Sequence, residues 1–173
     1  GHRVVMVGRD AAKTASTLAE VRRRAGSTHV ESALADFASQ ASVRGLADDL
    51  LDRFDRIDVL VNNAGAVHAR RVVTADGIEA TFAVNHLGAF LLTVLLRGRL
   101  VASAPSRIVN VASVGHYQGV LDLDDLSYER GGYRILRAYY RSKLAMVLAT
   151  RSFARQLQGS GVTVNAMHPG GVR

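Results

Sequence analysis

Short apolar runs alternate with longer mixed stretches along the whole chain. The alternation predicts strands over 3–7, 28–34, 57–61, 106–112 and 162–167, separated by helices over 11–25, 40–54, 77–100 and 136–158. Ile57-Asp58-Val59-Leu60-Val61 reads as a short buried strand. It gives way to Asn62-Asn63-Ala64-Gly65, a small-residue turn where backbone approaches a flat ligand closely. Strands alternating with helices point to an α/β fold with one parallel sheet covered by helices on both faces. At 173 residues and 48% hydrophobic, the chain is sized for a single domain, 1–173, with a core of its own.

Candidate chemistry sits at the ends of these elements. Tyr139 and Lys143 are four residues apart on the helix over 136–158, so they share a face, where an ammonium beside a phenol makes it a better acid. Such a pair recurs in many helices, but the neighbouring Tyr140 has no Lys four residues on. Ser113 ends the strand Arg107 to Ala112, a position that a plain turn residue also fills. Asn85 stands mid-helix in Phe82-Ala83-Val84-Asn85-His86-Leu87-Gly88, a poor choice on propensity. After the last strand comes His168-Pro169-Gly170-Gly171-Val172. His116 and His168 have no partner at metal-ligand spacing, and no metal is expected.

Taken in order, the Asn62-Asn63-Ala64-Gly65 turn, Asn85, Ser113, Tyr139-x-x-x-Lys143 and the Pro169-Gly170 turn resemble the short-chain dehydrogenase/reductase family. The long gap between Ser113 and Tyr139, with Leu123-Asp124-Asp125-Leu126, is similar to the retinol-dehydrogenase-like and protochlorophyllide-reductase-like branch. So are Asn85-His86-Leu87-Gly88-Ala89-Phe90 and Ser142-Lys143-Leu144-Ala145. The resemblance spans essentially the whole chain. It implies a Rossmann-like doubly wound sheet and a dehydrogenase or reductase acting on the carbonyl or alcohol of a small apolar molecule by hydride transfer. In that scheme Tyr139 is the proton donor or acceptor, and Lys143 holds the phenol and the cofactor ribose. Ser113 bonds the substrate oxygen, and Asn85 holds a water linking Lys143 to solvent.

The same resemblance places cofactor contacts. Arg9 follows the first predicted strand and Gly8. An acidic residue there would accept from a ribose hydroxyl, whereas Arg pairs with a 2′-phosphate, which favours NADP over NAD. Arg9 also reads as a surface residue beside Asp10, the N-cap of the next helix. Asp36 matches the residue that accepts from the adenine amino group. Asn62, Ala64 and Gly65 fall along the adenosine half, and Pro169, Gly170 and Val172 along the nicotinamide.

One departure dominates. The family opens with a strand and a glycine-rich loop that meets the pyrophosphate, whereas this sequence begins at what matches the second strand; by comparison roughly 30 residues are missing. It also stops at Arg173, before the family's final strand. An internal fragment is therefore expected, with a slot in the sheet between the strands beginning at Arg3 and Ile57. The exposed edges are templates for pairing with another copy and hence for a homo-oligomer. A non-catalytic family remnant or interaction protein is the alternative reading.

Charge and composition narrow the rest. The net charge is +7, from 22 Lys and Arg against 15 Asp and Glu, and every basic residue except Lys13 and Lys143 is Arg. The arginines are dispersed without interleaved aromatics, which argues against nucleic acid. The one cluster, Arg22-Arg23-Arg24, precedes Gly26 at a helix end, where cations oppose the dipole and Gly provides the cap. No apolar run approaches the ~18 residues a membrane span requires. With no Cys, neither disulfides nor thiolate metal sites are available, and a cytoplasmic setting is expected.

Overall fold

The computed structural model describes residues 2–170. In chain order the elements are β1 (Val4–Gly8), α1 (Ala11–Ala25), β2 (Val30–Leu34), α2 (Gln40–Arg53), β3 (Val59–Asn62) and a short α3 (Ala80–Phe82). A π-helical turn (Ala83–Leu87), α4 (Gly88–Ala102), β4 (Ser106–Val111), a 3-10 turn (Val114–Gln118), α5 (Ile135–Gln156) and β5 (Val162–Met167) follow. The α/β alternation expected from the sequence is present, with boundaries moved by identifiable local contacts. The third helix begins at Ala80 rather than 77, because Gly77 closes a turn onto the Thr74 carbonyl and buried Glu79 caps Thr81 and Phe82. The second strand begins at Val30 because Ser27 still bonds back to the Arg22 carbonyl beyond the α1 cap.

Local chemistry accounts for α1 at both ends. The Asp10 side chain accepts from Lys13 N at 2.8 Å, and Gly26 takes the left-handed C-cap conformation. Arg22 donates to the Val30 carbonyl while Arg23 and Arg24 pair with Glu20, so the arginine cluster is engaged within the fold.

Among the described residues all pairing between these strands is parallel, in two sheets, β1-β2 and β3-β4-β5, with the slot expected between β1 and β3. Val4 pairs with Val30 and Gly8 with Leu34 in the first; Val59 pairs with Arg107 and Ser106 with Val162 in the second. Among the described residues β1 and β3 each keep one edge without a strand partner. The two sheets are joined by packing. Val43, Leu46 and Leu50 of α2, Leu92, Leu96 and Leu100 of α4, and Phe153 of α5 form one core with Ile108 and Val164, against which Val5, Ala33 and Leu60 pack.

Helix coverage is uneven. Successive strand residues face opposite ways. Val5 points to that core, whereas a Cβ at Gly8 would land 2.0 Å from Thr14 Oγ1, which puts α1 on the other face of β1. The first sheet is thus covered on both faces. Among the described residues the second is covered only on the side of Leu60, Ile108 and Val164; Val59 and Val61, on its other side, are more than half exposed. The segment Ala80–Ala102, 23 residues long, is long and apolar enough to cross a membrane, contrary to the sequence-based expectation. More than half of it is buried against the core, so here it serves as the central packing helix.

Candidate active site

Parallel strands bring their C-terminal ends to one edge, where ligands of open α/β sheets bind. That edge collects Gly8 at the end of β1 with Arg9 after it, Asp36 after β2, Asn62 at the end of β3 with the turn to Gly65, Ser113 after β4 and the Pro169-Gly170 turn after β5. Val172 lies outside the described residues. Arg9, Ala64, Gly65, Pro169 and Gly170 are exposed, while Asp36 is half-buried with its carboxylate accepting from Ala38 N at 2.9 Å.

Lys143 is the electrostatic centre. It is 4% exposed, its Nζ donates to the Val111 carbonyl at 2.8 Å, and it lies 5.7 Å from the Tyr139 ring centroid. Burial lowers its pKa from the ordinary lysine value. No carboxylate pairs with it among the described residues, and two of its three N–H donors remain for other partners. Gly65 keeps the space before it open: a Cβ there would sit 3.9 Å from Lys143 Nζ and 3.6 Å from Asn85 Oδ1.

Asn85 is fully buried within the π-helical turn. Its Oδ1 accepts from Ala66 N at 2.6 Å and its Nδ2 donates to Ser142 Oγ at 3.0 Å; Ser142 Oγ in turn donates to the Tyr139 carbonyl at 2.7 Å. One side chain therefore ties the turn after β3 to the helix turn that carries Tyr139. The second amide N–H and the second lone pair of Oδ1 are left over for the water expected of it. A π-bulge frequently marks a functional site, and it gives a physical setting for an Asn that helix propensity disfavours.

Ser113 caps the 3-10 turn with extended backbone. Its Oγ accepts from Gly115 N at 3.2 Å and its carbonyl meets His116 Nδ1 at 2.7 Å, leaving the hydroxyl proton free to donate. Asn62 would meet the cofactor expected there through its backbone. Its side chain is buried, donating to Thr93 Oγ1 at 3.0 Å and Asn110 Oδ1 at 2.7 Å, while Asn110 donates on to Thr150. That polar layer ties β3, α4, β4 and α5 together, so only the backbone of Asn62 can face a ligand. Sequence reading singled out neither Ser142 nor this layer as a site feature, since isolated Ser, Thr and Asn carry no signal of their long-range partners.

At the far end, an open groove of about 470 Å³ lies between β1 and the start of α1, with Arg9, Lys13, Thr14 and Thr17 on its walls. Arg9 and Lys13 bring two cations suited to an anion, whereas the Thr14 hydroxyl already donates to the Asp10 carbonyl at 2.6 Å and the Asp10 carboxylate caps the helix end.

The C-terminal edge of the parallel strands carries Ser113, buried Lys143 beside Tyr139, and a braced Asn85, and comparison with known sequences gives the family. The family model described as enoyl-(acyl carrier protein) reductase matches residues 1–173, and the chain belongs to the short-chain dehydrogenase/reductase family. It is 44% identical over 173 residues to retinol dehydrogenase 13 of Homo sapiens, covering all of this chain and 52% of that protein. Retinol dehydrogenase 14 of Mus musculus is 45% identical over 183 residues, with 54% of its length covered. The chain thus spans about half the length of the curated relatives it matches. Among solved structures, an uncharacterized protein from Mycobacterium Paratuberculosis superposes with a TM-score of 0.85 at 37% identity, covering 98% of this chain and 59% of that one. The Pseudomonas aeruginosa RhlG/NADP active-site complex gives 0.77 at 29% identity, over 99% and 63%.

Proposed function

We propose that this chain carries the proton-transfer centre and part of the cofactor site of an NADP-dependent oxidoreductase that interconverts a carbonyl and an alcohol on a small apolar substrate. The observation that carries the reading is the convergence at one sheet edge of Tyr139, buried Lys143, half-buried Ser113 and the Asn85–Ser142 brace. A nicotinamide supplies and accepts the hydride when bound. The site suits such a group: Arg9 and Lys13 line a groove fit for a 2′-phosphate, Ala64 and Gly65 expose flat backbone, and Lys143 has donors left for ribose hydroxyls. An NADP complex of a relative supports the nicotinamide, and the Arg9 charge supports the choice of NADP.

In reduction, the Ser113 hydroxyl donates to the carbonyl oxygen and holds it beside Tyr139. Tyr139 then gives its phenolic proton to that oxygen as the alcohol forms, and the Lys143 ammonium stabilises the phenolate that remains. Oxidation runs the same steps backward, with the phenolate taking the proton. The Asn85–Ser142 brace keeps the Tyr139 turn in register with the Gly65 turn, and hence acid with cofactor.

The open edges of β1 and β3 and the bare face bearing Val59 and Val61 favour a second reading, an interaction protein that uses these surfaces to bind another chain. NADPH oxidation with a panel of aldehydes and ketones separates the two. Turnover by the chain extended at both ends to the length of its relatives supports the enzyme. NADPH binding without turnover across the panel supports the interaction protein.

A further inference from the structure

One charged side chain of α5 between Tyr139 and Lys143 has no part in the proton transfer above. Arg141 is 7% exposed, and no ion pair offsets its charge among the described residues. Its partners are backbone carbonyls of a single segment: Nε donates to Val120 O at 3.1 Å, and Nη1 donates to Asp125 O at 2.6 Å and Leu126 O at 3.1 Å. Its guanidinium carbon lies 3.8 Å from the centroid of the Tyr128 ring. Burying a guanidinium without a carboxylate is costly, and three carbonyls plus an aromatic face are what offset it.

The segment so held begins at Ser113. A Cβ at Gly115 would fall 2.3 Å from the Tyr140 ring, and one at Gly119 would fall 2.6 Å from the Tyr140 carbonyl and 2.7 Å from Leu144 Cβ, so the chain lies flush on α5 up to the Arg141 contacts. Beyond them, Tyr128 packs edge-on against Tyr133, whose hydroxyl donates to the His68 carbonyl at 2.7 Å. Arg71 donates to the Ser127 carbonyl at 2.6 Å. The stretch between these ties presents Tyr117, Val120 and Leu123, each at least 71% exposed, in the segment that follows Ser113 at the end of β4.

We propose that Arg141 is a positioning residue: by clamping 120–128 onto α5 it fixes the segment after Ser113 as an apolar wall of the substrate opening, while leaving the cofactor side untouched. The inference rests on the oxidoreductase reading. It predicts that Arg141 acts on substrate affinity and not on NADPH.

The test compares Arg141→Met and Arg141→Lys with the parent in the chain extended to its relatives' length, measuring carbonyl KM, kcat, NADPH affinity and amide hydrogen exchange over 119–128. In the Met variant, carbonyl KM rises about 10-fold with the charge-assisted bonds gone, while NADPH affinity stays within about twofold; the Lys variant recovers part of the loss. Exchange over 119–128 accelerates and that of α5 does not. The proposal is overturned if KM is unchanged, or if NADPH affinity falls in step with KM. If the Met variant does not fold, the Lys variant carries the same comparison. If the parent reduces no carbonyl, the oxidoreductase reading fails by itself, and unchanged exchange over 119–128 in the variants then overturns the clamp.

Discussion

Replacing Asn85 by Ala removes the one side chain that joins the Ala66 amide to Ser142; the bond to Ser142 is buried and the bond from Ala66 N is short and part-buried. Ser142 keeps its bond to the Tyr139 carbonyl, whereas the Ala66 N–H loses its acceptor. At about 0.5 to 1.5 kcal/mol for the bond to Ser142 and about 1 to 3 kcal/mol for the Ala66 N–H left unpaired, the expected loss of stability is about 1.5 to 4.5 kcal/mol. With a urea m-value of about 1 to 3 kcal/mol/M, that moves the unfolding midpoint down by about 0.5 M or more at unchanged m. Circular dichroism during urea unfolding reads the shift, and Asn85→Ala with Ser142→Ala completes a double-mutant cycle. The two losses overlap, so the double variant is less destabilised than their sum by about 0.5 to 1.5 kcal/mol. A loss under about 0.5 kcal/mol, or strict additivity of the two, would refute the brace and return Asn85 to a role in water binding alone.

The remaining predictions concern charge, protonation and the open edges. Arg9→Ala lowers NADPH affinity by about 10- to 150-fold and leaves NADH affinity unchanged, as fluorescence titration of both coenzymes would show; equal weakening of the two sinks the assignment. Burial drives the His86 pKa down from 6.5 to about 4, so between those values the unfolded chain binds the proton and the folded one does not. Stability therefore falls as pH drops from about 6.5 to about 4. His86→Phe, compatible with the ring contacts to Phe82 and Phe90, flattens that slope in urea titrations; an unchanged slope contradicts it. The chain by itself, with β1 and β3 edges open, associates with rising concentration in light scattering and turns over no carbonyl. A constant monomer mass or measurable turnover refutes this.

Features fixed by neighbours in sequence were legible. The Asp10 cap, the Gly26 C-cap with its three arginines and the Tyr139–Lys143 spacing each follow from a few consecutive residues, and the structure places them accordingly. Alternating apolar runs located the five strands to within two residues. Partners far apart in the chain were not legible. Asn85 meets Ser142 across 57 positions and Asn62 meets Asn110 across 48, so these bonds exist only once β3, β4 and α5 are packed. Arg141 gave no local signal either, because its partners are carbonyls that any residue supplies. The split of the sheet followed from strand order; the bare face of Val59 and Val61 depends on which helices pack where, which periodicity does not encode.

The central claim is that Tyr139 transfers the proton while Lys143 and the neighbouring turns hold the cofactor. Tyr139→Phe in the chain extended to its relatives' length, with single-turnover NADPH oxidation and NADPH binding measured side by side, tests it most directly. Hydride transfer is expected to fall by about 100-fold or more, the typical contribution of general acid catalysis, with NADPH affinity nearly unchanged because the ring still packs. Hydride transfer within a few-fold of the parent would contradict it.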